Sequence, residues 1–145
     1  MTESARLPDV TESTADGADA GAEALAEGAR LAEVEAWCAR LPEDQRAAIE
    51  RLRAQVRAVA PEAHEGIHYR VPTFFLDGPL VALTVDRSQL TLITMRPRLL
   101  ESLRVSLRGV SVSGSTMRTP LAQPFPDEAL RDVVLARAHQ NATGT

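Results

Sequence analysis

The sequence has no lysine, a single cysteine and only five aromatic residues in 145. Cys38, being alone, excludes an intramolecular disulfide and a multi-cysteine zinc site. No apolar run approaches the roughly 20 residues that cross a bilayer. The opening MTESARLPDV lacks the charged-then-apolar plan of a secretory signal. These absences predict a reduced, soluble, cytoplasmic protein. There is no G-x-S-x-G elbow, P-loop or Rossmann glycine fingerprint. With lysine missing, all 16 basic residues are Arg, set against 20 acids for a net charge of -4.

That charge is unevenly placed. Residues 1–30 hold seven acids and two arginines, Arg6 and Arg30, or -5; the remainder holds 13 acids and 14 arginines, or +1. The first 30 residues contain no aromatic and few large apolar side chains. A segment of that kind buries too little to offset its ordering entropy. It is expected to be a disordered acidic Ala/Gly-rich tail, with one folded domain over residues 31–140 and structure beginning near Leu31. The nearly neutral domain lacks the positive field that nucleic acid needs. The arginines at 46, 53 and 57 share their stripe with Glu50 and have no aromatic stacking set, so nucleic acid is not an expected partner.

Periodicity supplies the elements. Leu31, Val34, Cys38 and Leu41 recur at helical spacing, ended by Pro42. Pro42-Glu43-Asp44 opens a second helix that runs to about Ala60 before Pro61, with Ile49, Leu52, Val56 and Val59 inward. Arg46, Glu50, Arg53 and Arg57 form its polar stripe. From Ile67 the texture alternates as a strand through Tyr69 and Val71. Asp77-Gly78 is a hairpin signal before Leu80–Val85. Asp86-Arg87-Ser88 turns the chain into a strand from Leu90. A third helix is expected from Pro97 through Leu107, closed by Gly109. Short strands follow at Val110–Val112 and Ser115–Arg118, then a last helix after Phe125-Pro126. The order predicts an α+β fold: an antiparallel sheet of about five or six short strands, with N- and C-terminal helices on one face.

Several stretches resemble the YdhG-like family of small bacterial domains. They are Pro61-Glu62-Ala63-His64-Glu65, Ile67-His68-Tyr69-Arg70-Val71-Pro72-Thr73-Phe74, Ser113-Gly114-Ser115-Thr116-Met117-Arg118 and Pro120-Leu121. Upstream, Val34-Glu35-Ala36-Trp37 and Leu41-Pro42 fit the same pattern. The resemblance implies a two-layer sandwich of frataxin type. Most such domains have no known function, and some are called iron chaperones, which makes iron the ligand implied here. The sequence departs from the family where glycine usually stands at Arg70, at Gly114-Ser115, and at Gln89-Leu90.

Three constellations bear on chemistry. His64-Glu65-Gly66-Ile67-His68 matches H-E-x-x-H, which binds zinc only on a helix, where both imidazoles share a face. Here the stretch reads as turn and strand, so His64, Glu65 and His68 are taken as a coincidental match, and no metal site is assigned. A weak iron site would need a carboxylate ridge. Glu33, Glu35, Glu43, Asp44 and Glu50 are the candidates, interleaved with arginines that oppose a cation; the alternative is a solvated, salt-bridged surface. Finally, Glu65, Tyr69, Thr116 and Arg118 are the ligand-binding candidates, if the Thr116 strand lies near the Tyr69 strand. Their structural alternative is a Glu65–Arg118 ion pair fastening two strands. The expected role is a non-catalytic binding module for a small molecule, a metal ion or a protein. The rivals are a small enzyme using Glu65, His68 and Tyr69 as acid/base, and an interaction scaffold with no small ligand.

Overall fold

The computed structural model describes residues 10–103 and 109–144, with side chains from residue 21 onward. In chain order the elements are α1 (Val10–Ala39), α2 (Glu43–Val59), β1 (His64–His68), β2 (Val71–Phe75), β3 (Pro79–Val85) and β4 (Gln89–Ile93). They continue with α3 (Pro97–Ser102), β5 (Ser111–Ser113), β6 (Thr116–Pro120) and α4 (Asp127–Thr143). The six strands form one antiparallel sheet in the order β1-β2-β3-β4-β6-β5. Four strands follow one another as a meander. The β5–β6 hairpin then docks with β6 beside β4. This is the α+β architecture expected from the sequence.

Helix α1 begins upstream of the expected Leu31 boundary, within what the composition suggested was a tail. The Ala/Glu-rich stretch before Leu31 has the propensity for this. Contact with β1 reinforces it: Glu27 Oε2 meets His64 Nδ1 at 2.9 Å, and the Arg30 stem packs on Gly66. A methyl group at Gly66 would sit 3.3 Å from the Phe75 ring and 3.5 Å from Arg30, so the glycine admits both. Farther along, Trp37 Nε1 donates to the Arg70 carbonyl at 3.0 Å. Helix α1 thus runs beside β1, a strand that would otherwise be an open sheet edge.

In α2, Ile49, Leu52 and Val56 are buried as the stripe predicts. Arg53, assigned to the polar stripe, is instead 3% exposed. The expected strand through Tyr69 is also corrected. Tyr69 and Arg70 form the turn of a β1–β2 hairpin, with His68 opposite Val71. Both turn residues have positive φ, 52° and 71°, without being glycine or asparagine. Asp77-Gly78 turns the next hairpin with φ values of 55° and 109°, as that dipeptide favours. Helix α3 is short, and the expected contribution of Leu107 lies outside the described residues.

The core lies on one face of the sheet. Phe74, Val81, Leu83, Leu90, Leu92 and Met117 meet Ile49, Leu52, Val56, Leu130, Val133 and Val134, joined by Val34 of α1 and Leu100 of α3. Each such side chain contributes about 1.5–3 kcal/mol by leaving water. Arg137 is buried within this layer and bonds backbone, not carboxylate. Its Nε donates to the Leu80 carbonyl at 2.9 Å and its Nη2 to the Pro79 carbonyl at 2.6 Å. Asn141 Nδ2 adds bonds to the carbonyls of Leu76 and Pro79. The end of α4 therefore pins the β2–β3 turn.

Candidate functional site

Glu65 sits on the helix-facing side of β1, within reach of α2. Its Oε1 accepts from Arg53 Nε at 2.7 Å and its Oε2 from Arg57 Nη1 at 2.9 Å. Arg53 Nη1 also donates to Glu50 Oε1 at 2.7 Å. The spacing explains the junction: Arg53 and Arg57 are one helical turn apart, and both lean onto one strand carboxylate. Burial lowers the Arg53 pKa, but the hydrogen bond and charge of Glu65, with Glu50, outweigh it and hold the guanidinium above its ordinary value. Cys38 lies against the same arginine. Burial pushes its thiol up, more than Arg53 pulls it down, so it is a poor nucleophile. This cluster locks α1, α2 and β1 together and commits both Glu65 oxygens to guanidinium groups.

The other expected residues do not converge on Glu65. Thr116 and Arg118 stand on β6, with β2, β3 and β4 between that strand and β1. Four strand spacings are about 19 Å. The expected Glu65–Arg118 pair is therefore corrected: Glu65 pairs with Arg53 and Arg57. Thr116 Oγ1 donates to the Ser113 carbonyl inside its own hairpin at 2.8 Å. Alternation puts Glu65 and His68 on opposite faces of β1. His64 and His68 stand at the two ends of that strand, about 13 Å apart at roughly 3.3 Å per residue. His64 faces Glu27, and the His68 ring lies 4.4 Å from Tyr69 and 5.7 Å from Phe75. Glu33, Glu35, Glu43 and Asp44 are exposed, and Glu50 is bound to Arg53. Among the described residues, no three His, Cys, Asp or Glu side chains are placed to hold one metal ion.

What the fold does gather lies at the tip of the β1–β2 hairpin. Glu33, Ala36 and Trp37 of α1, with Arg40 just past its end, face Ile67 and Arg70 across a cleft of about 600 Å³. Tyr69 stands on the same turn, 87% exposed, with the His68 ring behind it. Trp37 is half-buried, and its indole N–H is spent on the Arg70 carbonyl, which fixes the hairpin tip to α1. Arg40 Nε donates to the Ala36 carbonyl at 3.3 Å, and neither Arg40 nor Arg70 has a carboxylate partner among the described residues. Two exposed guanidinium groups thus flank aromatic and aliphatic surface.

Sequence reasoning singled out Tyr69 here and missed Trp37, Arg40 and Arg70. One available signal was length. An extended run from His64 to Phe75 is twice the usual five- or six-residue strand and has to fold back. No glycine or asparagine marks where.

No family model matches the chain, and no curated protein matches it. Among solved structures, it is similar to the crystal structure of a Bacillus subtilis protein, YdhG, of the DUF1801 family. The TM-score is 0.70 at 15% identity, covering 77% of this chain and 93% of that one. Likeness at this identity is a likeness of fold. It places the six-stranded sheet and its helices in the same α+β architecture as that protein.

Proposed function

We propose that the chain is an intracellular YdhG-like domain that works as a non-catalytic binding module, and that its site is the hairpin-tip cleft. The ligand is an acidic peptide segment of a protein partner. Arg40 and Arg70 supply the anion-binding groups, while Trp37, Tyr69 and Ile67 supply apolar surface. Aromatic residues and Arg are the types that dominate binding hot spots.

One observation carries this reading. Tyr69 and Arg70 hold left-handed backbone conformations that cost about 1–3 kcal/mol each, and Tyr69 recovers little of that cost through burial. A hairpin kept for stability alone would favour glycine there. The strain presents an aromatic ring and a cation to solvent beside α1.

Iron, the ligand implied by the family resemblance, does not fit the residues present. The candidate carboxylates are spread over α1 and α2, and Glu50 is committed to Arg53. The acid/base alternative has no support either, because Glu65 and His68 face apart.

Titration with an acidic peptide carrying one leucine or phenylalanine tests the proposal. We expect saturable binding that Tyr69→Ala and Arg40→Glu each weaken by about tenfold or more, equivalent to roughly 1.4 kcal/mol. An equally tight lysine-rich peptide, or binding indifferent to both substitutions, contradicts it.

A further inference from the structure

The hairpin-tip cleft carries charge of both signs. Glu33, Trp37 and Arg40 recur at i, i+4 and i+7, so they follow one another along one face of α1 and its exit, and all three line the cleft. Glu33 is exposed and makes no ion pair among the described residues. Arg30, one turn back, packs its stem on Gly66 instead. Arg40 is held at the other end, with its Nε on the Ala36 carbonyl at 3.3 Å. Arg70 is kept level with Trp37 by the indole bond to its own carbonyl.

Seven residues of helix rise about 10 Å. Glu33 and Arg40 therefore stand toward opposite ends of the cleft, with Trp37 between them along the helix. One small anion cannot answer both charges. An occupant that is acidic throughout satisfies Arg40 and Arg70 but brings like charge up to Glu33, which costs affinity. Glu35, two positions on, is turned about 200° around the helix from Glu33 and does not line the cleft.

We propose that the cleft selects a dipolar segment: the acidic peptide also carries a lysine or arginine, about two to four residues from its acid, that meets Glu33. This rests on the acidic-peptide reading of the cleft and makes Glu33 the residue that chooses among such segments. In an extended peptide, side chains two apart share a face about 7 Å apart, and side chains four apart about 13 Å. That range brackets the Glu33–Arg40 rise. At the longer spacing, the apolar residue midway falls on Trp37.

Calorimetric titration with two peptides tests this. Each carries two aspartates and one leucine, and they differ only in a lysine or a glutamine two residues beyond the leucine. The parent is expected to bind the lysine peptide about threefold more tightly, the range of an exposed ion pair. Glu33→Gln removes that advantage, Glu33→Arg turns it in favour of the glutamine peptide, and Glu35→Gln leaves it intact. The unfolding midpoint of Glu33→Gln stays at the parent value, because the side chain is exposed. Equal affinities on the parent, with Tyr69→Ala still weakening both peptides, overturn the dipolar selection and leave the acidic-peptide reading standing. A lysine advantage that survives Glu33→Gln also overturns it. If neither peptide binds saturably, the acidic-peptide reading fails and this inference fails with it.

Discussion

Arg53 Nε donates to Glu65 Oε1 at 2.7 Å, and the two side chains are 4% and 7% exposed at the interface of α2 with β1. The pair therefore works as an ionic bolt inside a largely apolar layer. Removing Arg53 leaves the buried Glu65 carboxylate with only the half-exposed Arg57 as partner, so Arg53→Ala costs about 3 kcal/mol of stability. Replacing both, as Arg53→Met with Glu65→Leu, costs far less. Urea denaturation of the two variants checks the contrast. Similar losses in single and double variants contradict it.

Arg137 fastens α4 to the β2–β3 turn through backbone carbonyls. Hydrogen bonds to a charged group contribute roughly 1.5–3 kcal/mol. Arg137→Met keeps much of the volume and loses the bonds to Pro79 and Leu80. We expect a loss of about 3 kcal/mol, with the fastest amide exchange gained at Leu76–Leu80. Hydrogen exchange on the variant reads both quantities.

Arg70→Gly separates stability from binding. The Trp37 bond reaches the Arg70 carbonyl, so the substitution retains it. Glycine accepts φ 71° without strain, and the variant gains about 1 kcal/mol. It loses a cleft cation and binds the acidic peptide more weakly. Thermal unfolding and peptide titration on one sample measure the two opposed effects.

Much of the fold was legible because short-range chemistry and burial agreed. The α2 stripe, the Asp77-Gly78 turn and the Pro-led starts of the third and last helices each carried their own signal. The site was less legible, for physical reasons. The Tyr69-Arg70 turn carries residues that disfavour positive φ, so the local code reads as strand there. Arg53 looks like a surface residue until β1 brings Glu65 to it from 12 positions away. Similarly, Glu65 and Arg118 looked like partners because sequence does not reveal strand order.

Asp86 gives a pH dependence. Backbone N–H groups of Ser88 and Gln89 bond its Oδ1, both at 2.8 Å, and lower its pKa from the ordinary 3.8. A lowered folded pKa means the ionised form favours the fold. The contribution is complete above 3.8 and fades as pH falls through the lowered folded value. Asp86→Asn is therefore less stable than the parent at neutral pH, and the gap narrows in acid. Unfolding midpoints across pH measure it.

Trp37 is the only tryptophan in the chain and lines the proposed cleft, so its indole N–H resonance reports on that site alone. The most direct measurement follows this resonance while an acidic peptide with one aromatic residue is added to nitrogen-15-labelled protein. The account predicts a saturating shift of the Trp37 indole signal, with Tyr69 and Arg70 amides moving in step and Tyr69→Ala moving the midpoint to about tenfold more peptide or beyond. A Trp37 signal that stays fixed while the peptide binds elsewhere, or one that moves equally for a lysine-rich peptide, contradicts it.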